Sequence, residues 1–171
     1  MRNRWWRLTA ILLLSASCAV VAAQTCRTDI TPTAPDSRFT DHGDGTVSDA
    51  ATGLRWKRCA EGLSGAGCAS GAAATFTWQN ALQQAADTDF AGRTDWRLPN
   101  KNELESLVER RCYNPAINAT FFPNTPSDWF WSASPYANDP YYAWSVYFYV
   151  GSVYDDYKYY AGFVRLVRGG Q

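Results

Sequence analysis

The sequence predicts a disulfide-linked domain with two helices and several short strands, a pattern that is compatible with an α+β fold. Three observations lead to this prediction. Apolar residues recur at helical spacing in two middle segments, they alternate with polar residues near the carboxyl end, and four cysteines follow an apparent export signal. The chain has 171 residues, of which 46% are hydrophobic, so it suffices for one domain with a substantial core.

Residues 1–23 are predicted to be a signal peptide. Three arginines precede an apolar stretch from Leu8 to Ala23, which ends in small residues and is too short for a membrane-spanning helix. We expect cleavage after Ala23, with no transmembrane segment in the mature chain. The mature protein is then secreted, periplasmic or displayed on a bacterial cell surface. A lipid anchor at Cys18 is the alternative, although Ser15 stands where such signals usually have leucine.

The composition excludes several classes of function. Lys and Arg together number 16, as do Asp and Glu, and this balance argues against a nucleic-acid partner. The single histidine, His42, argues against catalytic triads and most zinc sites. No pair of carboxylates stands out for glycoside chemistry. We therefore expect no enzyme activity, no catalytic residues, no metal site and no cofactor.

Four cysteines remain after removal of the signal peptide, and in an exported domain they predict two disulfides. Four cysteines allow three pairings. Cys59 and Cys68 flank a run of small residues that suits a short closed loop, which leaves Cys26 to join Cys112. A metal site is the competing interpretation, but the spacing is not that of a zinc ribbon or finger.

The first part of the mature chain is predicted to be extended. Residues 24–37 are rich in Thr and Pro and form an arm in this prediction. Asp and Gly dominate residues 41–46 and indicate a turn, after which Val47 begins a strand. Residues 51–53 turn the chain back into a second strand at 54–56, which completes a hairpin.

Two helices are predicted in the middle of the chain. Thr77 is a suitable N-cap for a helix over Trp78–Ala86. Asn100 and Glu103 have the spacing of a capping box for a second helix, which is expected to end near residues 110–111 with its glutamates exposed to solvent.

Nine of the ten tyrosines lie between residues 136 and 160. In the strand predicted there, Trp144, Val146 and Phe148 are expected to face the core. Ser145, Tyr147 and Tyr149 are expected to face outward. Tyrosine mixed with Ser, Asn and Asp is typical of antibody paratopes, whereas the β-propensity of tyrosine alone does not explain such crowding. The segment therefore predicts a binding surface.

Several motifs occur in order from Arg38 to Arg168. They are RFTD at 38–41, GDGTV at 43–47, TGL at 52–54 with Trp56, DWRLP at 95–99, EL at 103–104, FWSASP at 130–135 and VRLVR at 164–168. Through them the chain resembles the family of the Legionella collagen-like adhesin C-terminal (Lcl C-terminal) domain, also called DUF1566. The resemblance implies a C-type-lectin-like α+β fold over residues 38–171, with two helices, a twisted antiparallel sheet and long loops.

Residues 136–163 are similar to the variable region of target proteins of diversity-generating retroelements. The similarity implies that outward side chains vary and bind ligand, while residues such as Val146, Phe148 and Gly151 belong to a fixed scaffold. The ligand-binding residues expected from it are Tyr136, Asn138, Asp139, Tyr141, Tyr142, Ser145, Tyr147, Tyr149, Ser152, Tyr154, Asp155, Asp156, Tyr157, Tyr159 and Tyr160.

The functional prediction is a secreted or surface-displayed protein whose tyrosine-rich region binds a protein or cell-surface ligand, glycans included. One alternative is an adhesin of fixed specificity for sulfated polysaccharides, as the family name suggests. Its basic surface would come from Arg110, Arg111, Arg165 and Arg168. The other alternative is an enzyme related to the formylglycine-generating oxidases, which need a reactive cysteine pair that the expected disulfides would consume.

Overall fold

The structure is a computed structural model, and it describes residues 23–169. Nearly all of the predicted signal peptide, and the alternative lipid anchor at Cys18, lie outside the described residues. Neither helix within 23–169 has the length and hydropathy that crossing a bilayer requires.

Thirteen strands and two α-helices are found in residues 23–169. The strands are β1 (Thr25–Cys26), β2 (Phe39–Asp41), β3 (Thr46–Asp49), β4 (Arg55–Lys57), β5 (Leu63–Ser64), β6 (Ser70–Gly71), β7 (Thr75–Phe76), β8 (Cys112–Tyr113), β9 (Trp129–Pro135), β10 (Tyr142–Tyr147), β11 (Ser152–Tyr157), β12 (Gly162–Phe163) and β13 (Val167–Arg168). The helices are α1 (Trp78–Ala86) and α2 (Lys101–Glu105), and short 3-10 turns lie at Asp36–Arg38 and Ala66–Cys68.

Two sheets organise the described chain. The larger has five strands in the order β11-β10-β9-β12-β7, so β11 forms one of its edges. The smaller has four strands in the order β13-β4-β3-β2 and contains the hairpin predicted from the turns at 41–46 and 51–53. Two further sheets have only two strands each, β1 with β8 and β5 with β6.

The predicted C-type-lectin-like α+β arrangement with two helices is wrong. The described chain is mostly β, with thirteen strands in four sheets, while α1 and α2 contain only nine and five residues. Many of the strands are two or three residues long, so they leave no alternating pattern in the sequence.

The two helix predictions had different outcomes. Helix α1 has the predicted bounds, and the Thr77 hydroxyl accepts a hydrogen bond from Asn80 N–H as its cap. Helix α2 has the predicted capping box of Asn100 and Glu103 but ends at Glu105, well before residues 110–111. The chain leaves the helix because Val108 and the next residue pair instead with residues 116–117.

The buried residues form two clusters. The first contains Phe130, Val146 and Phe148 of the β9–β10 region, together with Leu104 of α2 and Trp56 of the smaller sheet. In the second, Trp131 of β9 and Ala143 of β10 pack with residues of α1. Since neighbouring residues on a strand face opposite sides, Phe130 and Trp131 place one cluster on each side of the larger sheet. Full burial of each large apolar side chain stabilises the fold by about 1.5–3 kcal/mol.

The two disulfides are those that the sequence predicted. Cys26 is bonded to Cys112 and Cys59 to Cys68, with sequence separations of 86 and 9 residues. The first fastens β1 to β8 and thereby ties the amino-terminal arm to the domain. On the chain-entropy model, loops of these lengths correspond to about 4.6 and about 2.7 kcal/mol of stabilisation.

A buried ion pair lies at the start of the smaller sheet. The Arg38 guanidinium donates from Nε and Nη2 to the two oxygens of Asp49, at 2.6 and 2.5 Å. The carboxylate also accepts hydrogen bonds from Ala51 N–H and the Thr52 hydroxyl. Burial acts to raise the pKa of Asp49, but these hydrogen bonds and the Arg38 charge outweigh it and hold the pKa below its ordinary value.

Candidate functional site

The register of β9, β10 and β11 places a row of aromatic side chains on one face of the larger sheet. Tyr147 lies opposite Trp129 on β9, and Ser145 lies opposite both Trp131 on β9 and Tyr154 on β11. Gly151 makes the turn between β10 and β11 with a φ of +76°, a conformation that favours glycine. The antiparallel strands thus bring side chains from three segments together.

Seven aromatic rings form a continuous series of contacts that runs from Trp129 of β9 to Trp144 of β10. The contacts are Trp129–Tyr160, Tyr160–Tyr159, Tyr159–Tyr157, Tyr157–Tyr142, Tyr142–Tyr136 and Tyr136–Trp144, with ring centroids 4.0–6.4 Å apart. Rings at such separations attract one another beyond the area that they bury. The arrangement therefore holds the rings in place relative to each other.

A second group of rings adjoins the first. Its contacts are Tyr113–Tyr149, Tyr149–Tyr147 and Tyr147–Tyr154, with centroids 5.9–6.5 Å apart. Trp129 of the first group and Tyr147 of the second are partners in the register of β9 and β10. We call the combined set the tyrosine surface; it consists of Tyr113, Trp129, Tyr136, Tyr142, Trp144, Tyr147, Tyr149, Tyr154, Tyr157, Tyr159 and Tyr160.

Much of the tyrosine surface is accessible to solvent. Tyr159 is 65% exposed and Tyr154 is 51% exposed, and the neighbouring Tyr141 reaches 71%. All of the fifteen residues predicted to bind ligand are partly or fully exposed except Ser145. In the register of β10 and β11, Tyr142, Asp155 and Tyr157 lie on one face, while Tyr147, Ser152, Tyr154 and Asp156 lie on the other with Ser145.

The burial expected for two residues in β10 differs from what the structure shows. Ser145, expected to point into solvent, is 1% exposed because the larger side chains of Trp131 and Tyr154 flank it on the neighbouring strands. Trp144, expected in the core, is only half-buried and packs against Tyr136. The pairing of β10 with β9 shifts register between Ala143 and Ser145, but its pairing with β11 is regular, so Trp144 and Ser145 still point to opposite faces.

Sequence reasoning missed several members of the tyrosine surface. Trp129 lies before the predicted segment. It is half-buried and stands next to the buried Phe130 in β9. Tyr113 comes from β8, and the chain next to it is joined to the surface by a hydrogen bond from Asn114 N–H to the Tyr149 carbonyl. No local pattern could have revealed a contact between residues so distant in the sequence.

The charges around the tyrosine surface are mostly negative. Residues 128–157 contain four aspartates and no Lys, Arg or His. Two lysines lie at its border, and each is already engaged. Lys158 Nζ donates to the Pro140 carbonyl at 2.6 Å and lies 4.5 Å from the Trp78 ring centroid. Lys101 Nζ lies 4.7 Å from the ring centroid of Trp144.

Asp156 is the aspartate held most firmly within this region. Its Oδ2 accepts a hydrogen bond from the Ser145 hydroxyl at 2.5 Å. Burial raises the pKa of the Asp156 carboxyl; the Ser145 hydrogen bond opposes this rise, and the negative charges of Asp155 and Asp128 add to it. The surroundings thus disfavour the charged form of Asp156, which has no ion-pair partner in residues 23–169.

The fold and this surface define a class of protein: a mostly β, disulfide-linked domain that presents aromatic rings and carboxylates to solvent. The Lcl C-terminal domain family model matches residues 45–168, and the chain belongs to this family. No curated protein matches the chain. Membership of the family indicates a surface or adhesin-like protein rather than an enzyme. The two disulfides are consistent with an extracellular or surface location.

Proposed function

We propose that this protein is a secreted or surface-displayed ligand-binding protein, and that the tyrosine surface recognises a protein or a cell-surface ligand. The exposed rings of the tyrosine surface, many of which contact one another, carry the proposal. Contiguous exposed aromatic area is uncommon on a protein that has no partner. Tyrosine offers a large contact area and a hydroxyl at a low cost in conformational entropy, so such rings suit recognition without chemistry.

The separation of the tyrosine surface from the core supports this proposal. Val146 and Phe148, which alternate with the surface tyrosines, are completely buried in the first cluster. Removal of the exposed phenol rings therefore leaves the core packing in place, since the core residues belong to the scaffold.

We further propose that a diversity-generating retroelement varies the exposed residues of 136–163. The proposal is supported by the exposure of fourteen of the fifteen residues expected to vary, next to buried scaffold positions. Ser145 is the exception, because its burial limits the side chains that fit. The coding DNA tests the proposal: an adenine-rich near-repeat and a neighbouring reverse-transcriptase gene are expected, and their absence would overturn it.

Peptide binding tests the recognition proposal. Random peptides displayed on phage are panned against the folded protein, and the affinity of each selected peptide is measured with purified variants. A variant carrying Tyr147→Ala and Tyr154→Ala is expected to bind at least about tenfold more weakly, since exposed aromatic anchors dominate such interfaces. The control is Gln79→Ala on the exposed side of α1, which is expected to bind as the wild type does. Equal binding by the tyrosine variant would overturn the proposal, as would its unfolding.

A sulfated polysaccharide is the second candidate ligand. Of the arginines expected to form its site, Arg165 is completely buried and Arg110 is paired with Glu105, so that site is not assembled. A different set of arginines favours a polysaccharide site, because Arg55, Arg93 and Arg168 line one small cavity of about 160 Å³. Asp44 also lines this cavity, which reduces its positive charge.

Heparin chromatography at graded salt decides between these ligands. Binding of a polyanion through several arginines falls steeply as salt rises. If the tyrosine surface is the binding site, the protein elutes early and Arg93→Ala elutes with it. Strong retention that Arg93→Ala abolishes would favour the polysaccharide.

A further inference from the structure

We propose that the tyrosine surface is selective for a protein partner that presents an arginine or lysine side chain, and that this cation pairs with Asp156 beside the tyrosine rings. The inference rests on the proposed function and specifies the chemistry of the partner.

Charge complementarity is the first argument. The four aspartates between residues 128 and 157 are Asp128, Asp139, Asp155 and Asp156, and this stretch has no cation of its own. None of the four forms an ion pair with another residue of 23–169. A partner with a basic surface therefore meets complementary charge, whereas a polyanion meets repulsion.

The position of Asp156 is the second argument. Asp156 and Tyr154 are alternate residues of β11, and Ser145, the residue opposite Tyr154, donates to Asp156 Oδ2. This hydrogen bond fixes the carboxylate. Its other oxygen, Oδ1, accepts no hydrogen bond from the part of the chain that the structure describes. A guanidinium or ammonium group that reaches Oδ1 would form a charge-assisted hydrogen bond.

The aromatic surroundings are the third argument. A cation above a tyrosine or tryptophan ring is attracted by the negative charge of the ring face. Rings in and beside the tyrosine surface already hold cations of this protein: Lys101 lies over Trp144, and Lys158 lies over Trp78. Tyr154, which is two residues from Asp156 in β11 and on the same face of the sheet, has no such internal partner in residues 23–169.

Arginine fits this combination better than lysine. Its planar guanidinium can lie flat on a phenol ring while its N–H groups donate to a carboxylate. The partial burial of Asp156 strengthens the pairing, because water competes less for a carboxylate that is already partly desolvated.

The test uses peptides selected from the random phage library on the wild-type protein. The selected peptides are expected to contain Arg or Lys, and replacing that residue by Gln should weaken binding about tenfold, the range of a desolvated charge pair. Asp156→Asn should weaken binding to a similar extent, and on this variant the peptide substitution should have little further effect. Asp89→Asn, an exposed aspartate outside the tyrosine surface, is the matched control and should bind normally.

The outcomes separate this inference from the proposed function. Peptides that lose binding to the Tyr147→Ala, Tyr154→Ala variant but contain no cation, or are indifferent to Asp156→Asn, overturn the inference and leave the proposed function standing. Peptides whose binding is unaffected by the tyrosine substitutions overturn both. Cationic peptides that depend on both the tyrosines and Asp156 support both.

Discussion

In the smaller sheet the Asp49 carboxylate is completely buried and receives two hydrogen bonds from Arg38, whereas at the edge of the larger sheet Asp156 receives one from Ser145 and meets no cation. The pKa values of the two groups shift in opposite directions. Burial is the largest influence on both, but only Asp49 has a partner that outweighs it.

The same contrast extends to the aromatic residues of the two regions. Trp56 in the smaller sheet is completely buried, while Tyr154 and Tyr159 beside Asp156 are largely exposed. The buried ion pair and the buried rings of the smaller sheet serve the stability of the fold. Unpaired charges and exposed rings do not stabilise the fold. Their presence is typical of sites that bind another molecule.

The largest change in the free energy of unfolding is expected from breaking the ion pair between Arg38 and Asp49 in the smaller sheet. Asp49→Asn leaves the Arg38 guanidinium, which is 11% exposed, without its countercharge. Loss of one partner from a buried pair costs about 3–5 kcal/mol. Urea denaturation at neutral pH measures this change in the free energy of unfolding, and a loss below about 1 kcal/mol would contradict the account.

The pH dependence of Asp49 provides an internal check. Its folded pKa is lowered, so the ionised group stabilises the fold above its unfolded value of 3.8 and loses this effect as pH falls through the folded pKa. The destabilisation caused by Asp49→Asn should therefore shrink on acidification over that range.

Substitution of Asp156 is expected to change the stability less than substitution of Asp49 does, and to raise it rather than lower it. Its folded pKa is raised above 3.8, so ionisation of the folded protein costs stability as pH rises through the folded pKa. Asp156→Asn should raise the Tm at neutral pH, and the difference should vanish below pH 3.8, where the wild-type group is protonated in both states. Thermal melts at several pH values measure the effect, with Asp89→Asn as the control. A lower Tm for Asp156→Asn at neutral pH would show that this carboxylate is structural.

The sequence was a good guide wherever the determining contacts are local. The Thr77 cap set the start of α1, the turn residues predicted the β3–β4 hairpin, and the loop between Cys59 and Cys68 indicated its own disulfide. Each of these features depends on residues within about one or two turns of chain.

Features that depend on distant contacts could not be predicted. Helix α2 is short because Val108 pairs with Ile117, and Ser145 is buried because Trp131 and Tyr154 flank it on the neighbouring strands. The fold class failed for a related reason, because two-residue strands gain their stability from neighbours in the sheet rather than from their own sequence. Of the candidate site, the exposed tyrosines were predictable, but the contribution of Tyr113 was not.

The most direct test of the central claim measures the protease resistance of every single substitution across residues 136–160, which reports the stability of each variant. Alanine at the exposed Tyr141, Tyr154 and Tyr159 should cost less than about 1 kcal/mol, as surface changes do. Alanine at the buried Phe148 should cost about 3–5 kcal/mol. Alanine at Gly151, where a side chain would collide with Val108, should also be strongly destabilising. Equal losses at the tyrosines and at these scaffold positions would mean that the rings support the fold, and would contradict their assignment to a recognition surface.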